Sequence, residues 1–128
     1  MSHFSTYKTQ LRNVSVQLLQ QAIKGFAQSI NATLATSVQD FYGNKNNVGA
    51  GLVTQGLPNG IGFDIDAQGN LEVKGDSYGH EAEWQRVSNL AQNYIKAFKV
   101  AQTARNTHPT ARMNMKVLRK QVILEVAL

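Results

Sequence analysis

From Glu81 to Arg105 the chain reads EAEWQRVSNLAQNYIKAFKVAQTAR. Trp84, Val87, Leu90, Ala91, Tyr94, Ile95, Phe98 and Ala101 recur there at steps of three and four. That spacing gathers side chains on one face of an α-helix. Arg86, Asn89, Asn93, Lys96 and Gln102 fall on the other face, which suits water. Neither glycine nor proline interrupts the stretch, and it holds the only tryptophan of the chain. Large aromatic side chains bury roughly 150–250 Å² each when enclosed. This helix is the beam on which a sheet is laid.

The segments around it supply the sheet. Before the helix, Ile61-Gly62-Phe63-Asp64-Ile65 alternates, Ala67-Gln68-Gly69-Asn70 turns the chain, and Leu71-Glu72-Val73-Lys74 alternates back. Such alternation broken by turn residues describes a hairpin meander. Upstream, Val48 to Thr54 reads as a short strand softened by Gly49 and Gly51, and residues 56–60 read as a turn around Pro58. Residues 31–42 favour a strand through Thr33, Leu34, Thr36, Val38, Phe41 and Tyr42, with a loop over residues 43–47. Residues 4–11 read as the first strand. Asn13 makes a suitable helix N-cap, and Val16, Leu19, Ala22, Ile23, Phe26, Ala27 and Ile30 predict a helix over about 14–30. Gly25 weakens that helix by roughly 1 kcal/mol relative to alanine and permits close approach to another element. Downstream, Pro109 stops the long helix, and Met113 to Val117 and Val122 to Val126 form two final strands. The expectation is one α+β domain over residues 1–128. It has a mainly antiparallel sheet of about five or six strands and two amphipathic helices on one face. Strand order, oligomeric state and partner identity stay open at this level.

Composition removes several classes of chemistry. A chain of 128 residues fits a single domain with a sizeable core. With no cysteine, disulfides, thiol catalysis and cysteine-based zinc sites are excluded. Residues 1–20 lack the apolar core of a signal peptide, and no run approaches the ~18 apolar residues of a membrane span. The protein is therefore expected to be soluble, with no membrane partner. The net charge of +5 is uneven: residues 1–39 carry +3, residues 40–83 carry −5 and residues 86–128 carry +7. A basic C-terminal third suits an anionic partner, or simply solvates helix and strand surfaces.

Few residue patterns carry chemistry. Asp64 to Asn70 opens like a calcium loop, but position twelve is Gly75 where a bidentate glutamate belongs, so a hairpin turn accounts for it. Gly49-Ala50-Gly51 lacks the third glycine and the following helix of a dinucleotide fingerprint. His3, His80 and His108 have no partner at helical metal-ligand spacing. His80, Glu81 and Glu83 cluster at the start of the long helix, where acids favour the positive end of the dipole. No nucleophile elbow is present. The sequence thus implies no cofactor, no metal site and no catalytic residue. The binding candidates are basic: Lys96, Lys99 and Arg105 on the long helix, and Arg112, Lys116, Arg119 and Lys120 on the last hairpin. Evenly spaced cations along a strand face could track phosphates. Only Tyr94 and Phe98 are aromatic in this third, both on the core face, so stacking platforms for single strands are missing.

The opening Met1-Ser2-His3-Phe4-Ser5-Thr6, followed by Lys8-Thr9, resembles a family of hypothetical proteins of cyanobacteria and algal plastids, a domain of unknown function. Ile61-Gly62-Phe63, Asp76-Ser77-Tyr78-Gly79, Tyr94, Lys99-Val100 and the two-stranded finish are similar as well. Two places depart: only Ser77-Tyr78 stands where an aromatic pair is expected, and the last hairpin is basic rather than acidic. The resemblance implies an accessory or adaptor role beside an AAA-type ATPase, in the cytoplasm or the plastid stroma. Two functions lead as expectations, and a small enzyme using His80, Glu81 and Glu83 is a third, separated from them by whether those groups line a cleft or face open water. The first is a non-enzymatic adaptor binding a protein through an uncovered sheet face or edge, or through the basic hairpin. The second is a nucleic-acid-binding module that recognises no particular sequence.

Overall fold

A computed structural model describes residues 4–127, so His3 and the first part of the opening motif lie outside the described residues. The chain runs β1 (Ser5–Lys8), α1 (Val16–Ile30), β2 (Thr33–Gln39), β3 (Lys45–Thr54), β4 (Leu57–Ile65), β5 (Leu71–Gly75), α2 (Glu81–Thr107), β6 (Arg112–Val117) and β7 (Val122–Ala127). The fold is α+β with a five-stranded sheet in the order β1-β5-β4-β3-β2, every pairing antiparallel. Strands β2 to β5 form the meander, and β1 docks on β5, so α1 carries the chain from one sheet edge to the other. Among the described residues, no helix is long and apolar enough to cross a membrane.

One face of the sheet is closed by both helices. Leu52, Ile61 and Phe63 from the sheet are fully buried with Leu19, Ile23 and Phe26 of α1 and Ile95 of α2. At about 25 cal/mol per Å² of apolar surface, this shared burial is the dominant stabilising term. Phe26 and Tyr94 meet with ring centroids 5.6 Å apart, a contact worth about 0.5–1.5 kcal/mol beyond its area. Gly25 faces the same tyrosine: a β-carbon there would lie 2.5 Å from the Tyr94 hydroxyl oxygen. The glycine therefore sets how closely the helices approach. Burial pushes the Tyr94 phenol above its ordinary pKa.

The final hairpin forms its own two-stranded sheet rather than extending the first. Met115, Val117 and Val122 on its inner face pack against the common core, and it rests on α1 and α2. Both sheets thus bear on the helix pair. Ser88 of α2 is buried and accepts a hydrogen bond from Gln92 Nε2 at 3.1 Å.

Three local readings are corrected by tertiary structure. Helix α1 is capped by Ser15, whose Oγ accepts from the Leu18 amide at 3.0 Å, while Asn13 takes a left-handed backbone with φ 58°. Residues 57–60 belong to β4: the turn is only Gln55-Gly56, and Pro58 to Gly60 bulge opposite Val53. Proline is tolerated there because a bulge needs no ladder donor. Phe41 and Tyr42 sit in a turn, and β3 starts earlier, at Lys45. The reason is a motif used twice, Asp40-Phe41-Tyr42-Gly43-Asn44 and Asp66-Ala67-Gln68-Gly69-Asn70. In each, the aspartate Oδ1 accepts from the amides two and four residues on, all at 2.9 Å. In each, the glycine takes a positive φ, 87° and 84°, which a side chain would oppose.

Two outcomes are expected. Gly25→Ala destabilises the protein despite better helix propensity, whereas in a Tyr94→Phe background the same change is neutral or stabilising. Thermal or denaturant unfolding of the four variants should give a coupling of about 1–3 kcal/mol, and simple additivity would sink the contact. The second concerns acid. Asp40 is held below its ordinary pKa of 3.8 first by the Asn44 side chain, and Asp66 first by the Asn70 amide. Groups with lowered folded pKa contribute stability above the unfolded value and lose it as pH falls through the folded value. NMR titration should place both midpoints below 3.8, with the turns loosening only under that pH.

Candidate functional site

The turn at residues 40–44 reaches across to the loop that precedes α2. Asp76, only 6% exposed, links the two. Its Oδ2 accepts from the Phe41 amide at 2.9 Å and its Oδ1 from the Tyr78 amide at 3.1 Å. A buried carboxylate that receives amides from two loops fixes their relative position, because breaking either bond forfeits a charge-assisted hydrogen bond in a site shielded from water. The rings of the same residues stand outward. Phe41, Tyr42 and Tyr78 are 54%, 70% and 48% exposed. Phe41 meets Tyr42 at 5.4 Å and Tyr78 at 4.9 Å, both edge to face. Three large rings are therefore held in water by backbone and carboxylate geometry. Contiguous exposed apolar surface of this kind marks interaction sites, and tyrosine is enriched at their energetic centres.

This cluster was not among the sequence candidates. Its signal was present in the repeated Asp-x-x-Gly-Asn pattern, which places residues 41 and 42 at a turn apex. The link to Tyr78 through Asp76 has no sequence signature, since 35 residues separate the partners.

The basic candidates divide by environment. Lys96 and Lys99 both border a groove of about 720 Å³ beside residues 11–14. Lys99 Nζ donates to the carbonyls of Arg12 and Asn13 at 3.3 and 3.2 Å. Arg105 lies exposed in the last turn of α2, where a cation complements the helix dipole. Arg112 and Lys116 do share the outer face of β6, with Asn114 between them. Lys116 is paired with Glu125 at 2.8 Å, which lessens its attraction for phosphate. Arg119 and Lys120 form the hairpin tip, where the Arg119 carbonyl accepts from Arg86 Nη1 at 3.0 Å.

The acidic candidates are all engaged in structure. Glu83 pairs with Arg86 at 2.6 Å, and this hydrogen bond lowers the Glu83 pKa and raises that of Arg86. Glu81 Oε1 accepts from the Gly79 amide at 3.3 Å. Glu81 borders one groove, beside Trp84, and Glu83 another, beside Thr54 and Gln55. His80 is exposed and makes no side-chain cap to the helix. The three thus do not converge on one cleft. Asp64 accepts from the Gly49 amide at 2.7 Å and pairs with Lys74 at 3.0 Å, so the calcium-like run serves a hairpin. Among the described residues, no group of three or more metal-ligating side chains comes together.

Compared with protein-family models, curated proteins and solved structures, the chain has no match.

Asp76→Ala is expected to cost about 1–3 kcal/mol by leaving two amides without their acceptor. Hydrogen exchange should then accelerate at Phe41 and Tyr78 while the helix amides near Tyr94 keep their protection. Unchanged exchange at both loops would show that the carboxylate does not hold the cluster.

Proposed function

We propose that this protein is a non-enzymatic accessory or adaptor protein that acts by binding another protein. The observation that carries the reading is the ring cluster of Phe41, Tyr42 and Tyr78, exposed to water yet fixed by the buried Asp76. A fixed aromatic surface loses little conformational entropy on association, which is the general advantage of a preorganised interface. The cluster is a more specific surface than the sheet edge or basic hairpin considered from sequence. The resemblance to the cyanobacterial and plastid family directs the search first to an AAA-type ATPase in the cytoplasm or plastid stroma.

The alternative is sequence-independent nucleic-acid binding through the basic C-terminal third, Lys96 and Lys99 together with the hairpin cations Arg112, Lys116, Arg119 and Lys120. Its support is the exposure of the hairpin cations along β6 and at the hairpin tip. The Lys116–Glu125 pair and the scarcity of exposed rings beside them favour the protein reading.

Affinity capture from native extract separates the two. The tagged protein should retain a defined protein partner at about 0.5 M salt, where exposed charge contacts are largely screened. Phe41→Ser combined with Tyr42→Ser should remove that partner without lowering thermal stability. Recovery of nucleic acid alone at low salt, abolished when the four hairpin cations become glutamate, would overturn the proposal in favour of the alternative.

A further inference from the structure

A second surface lies away from the rings, where the C-terminal half of α2 passes the segment from Leu11 to Val14. Between them runs the groove of about 720 Å³. Its floor is Ile95 and Val14, both buried, and its walls include Leu11, Ala104 and Val100, the last 58% exposed. Lys96, Lys99, Val100, Thr103, Ala104 and Thr107 follow one stripe of α2. That stripe is about 17 Å long at 1.5 Å per residue, three helical turns.

The charges beside the apolar stripe are of one sign. Arg12, Lys96 and Lys99 line the groove, and among the described residues no acid does. Lys99 is held at the rim by the Arg12 and Asn13 carbonyls, contacts that position the ammonium without cancelling its charge. Among the described residues, the acidic side chains are already engaged elsewhere. All eight acids already have an internal partner: Asp40, Asp66, Asp76 and Glu81 on amides, Asp64 on an amide and Lys74, and Glu72, Glu83 and Glu125 on Lys74, Arg86 and Lys116.

We infer that this groove binds an acidic amphipathic helical segment of a partner protein. Its aliphatic side chains fill the stripe between Leu11 and Val100, and its carboxylates meet Arg12, Lys96 and Lys99. Helix-in-groove recognition needs an apolar trough a few turns long, which the α2 stripe supplies. A fatty acid brings a single carboxylate to three cations. A nucleic acid brings phosphates to a mainly aliphatic trough whose one aromatic ring is the His108 imidazole, with no row of rings on which successive bases could stack. This site deepens the protein-binding reading but uses a surface that the ring cluster does not share.

The test is a display selection of random peptides about 16 residues long on the wild-type protein, counter-selected on Val100→Glu. Because Val100 is exposed, that variant should fold, as circular dichroism would verify. Enriched peptides should combine Leu, Ile, Val or Met at helical spacing with an excess of Asp and Glu. The tightest should bind Val100→Glu and Lys96→Glu about tenfold more weakly, and should weaken as salt rises. Tyr42→Ala should leave its affinity unchanged, so failure of the groove and failure of the ring cluster are read separately. The inference is overturned if no peptide is enriched, if the enriched set is neutral or basic, or if Lys96→Glu binds equally well. It is also overturned if a long-chain fatty acid or an oligonucleotide displaces the best peptide and binds the groove more tightly.

Discussion

The helix pair depends on an atom that is not there. Gly25 offers no β-carbon, and the Tyr94 hydroxyl occupies the space that one would take. Glycine in a helix interior costs roughly 0.5–1 kcal/mol in backbone entropy, so its presence in α1 calls for a packing reason. The reason is the width of the sheet. Helix α1 must cross from the β1 edge to the β2 edge while sharing one face with the long helix. Only a close crossing lets Phe26 and Ile95 close over the same strands as Leu52, Ile61 and Phe63. The terminal hairpin then has a continuous helical surface on which to rest.

The opposite sheet face uses the same device in smaller form. Gly51 and Gly62 pair across β3 and β4, and Val48 lies over both. Gly60 receives Val38 in the same way. Valine over glycine packs apolar surface on the sheet face away from the helices. The 40–44 turn, at the end of the β2–β3 hairpin, meets Asp76 through the Phe41 amide.

Charge divides along structural lines. The acids are concentrated in residues 40–83 because that is where turns, loop links and sheet-face pairs need acceptors. The cations of the C-terminal third meet few of them. Acidic turn residues serve folding, while Arg12, Lys96 and Lys99 keep a field directed at solvent.

Much of the fold was legible because it rests on local patterns. The period of α2, the Val16–Ile30 stripe and the last two strands follow from repeats of 3.6 and 2, which a single chain displays without reference to its neighbours. The close approach allowed by Gly25 was also visible, since few other roles explain a mid-helix glycine. Asn13, Pro58 and the pair Phe41-Tyr42 were misread because each has a sound local role, as cap, turn or strand residue, that a neighbour overrode. Ser15 was the better-placed cap, a bulge accepted the proline, and Asp40 with Gly43 claimed the aromatics for a turn. The sequence also displayed every cation, but grouped them by order along the chain. By itself, then, it determined the elements, the composition of the core and the surplus of positive charge. Tertiary structure alone decided which distant residues share a surface: Asp76 beneath Phe41 and Tyr78, and Arg12 beside Lys96 and Lys99. Such contacts depend on loop closure across 35 to more than 80 residues, and no local periodicity encodes them.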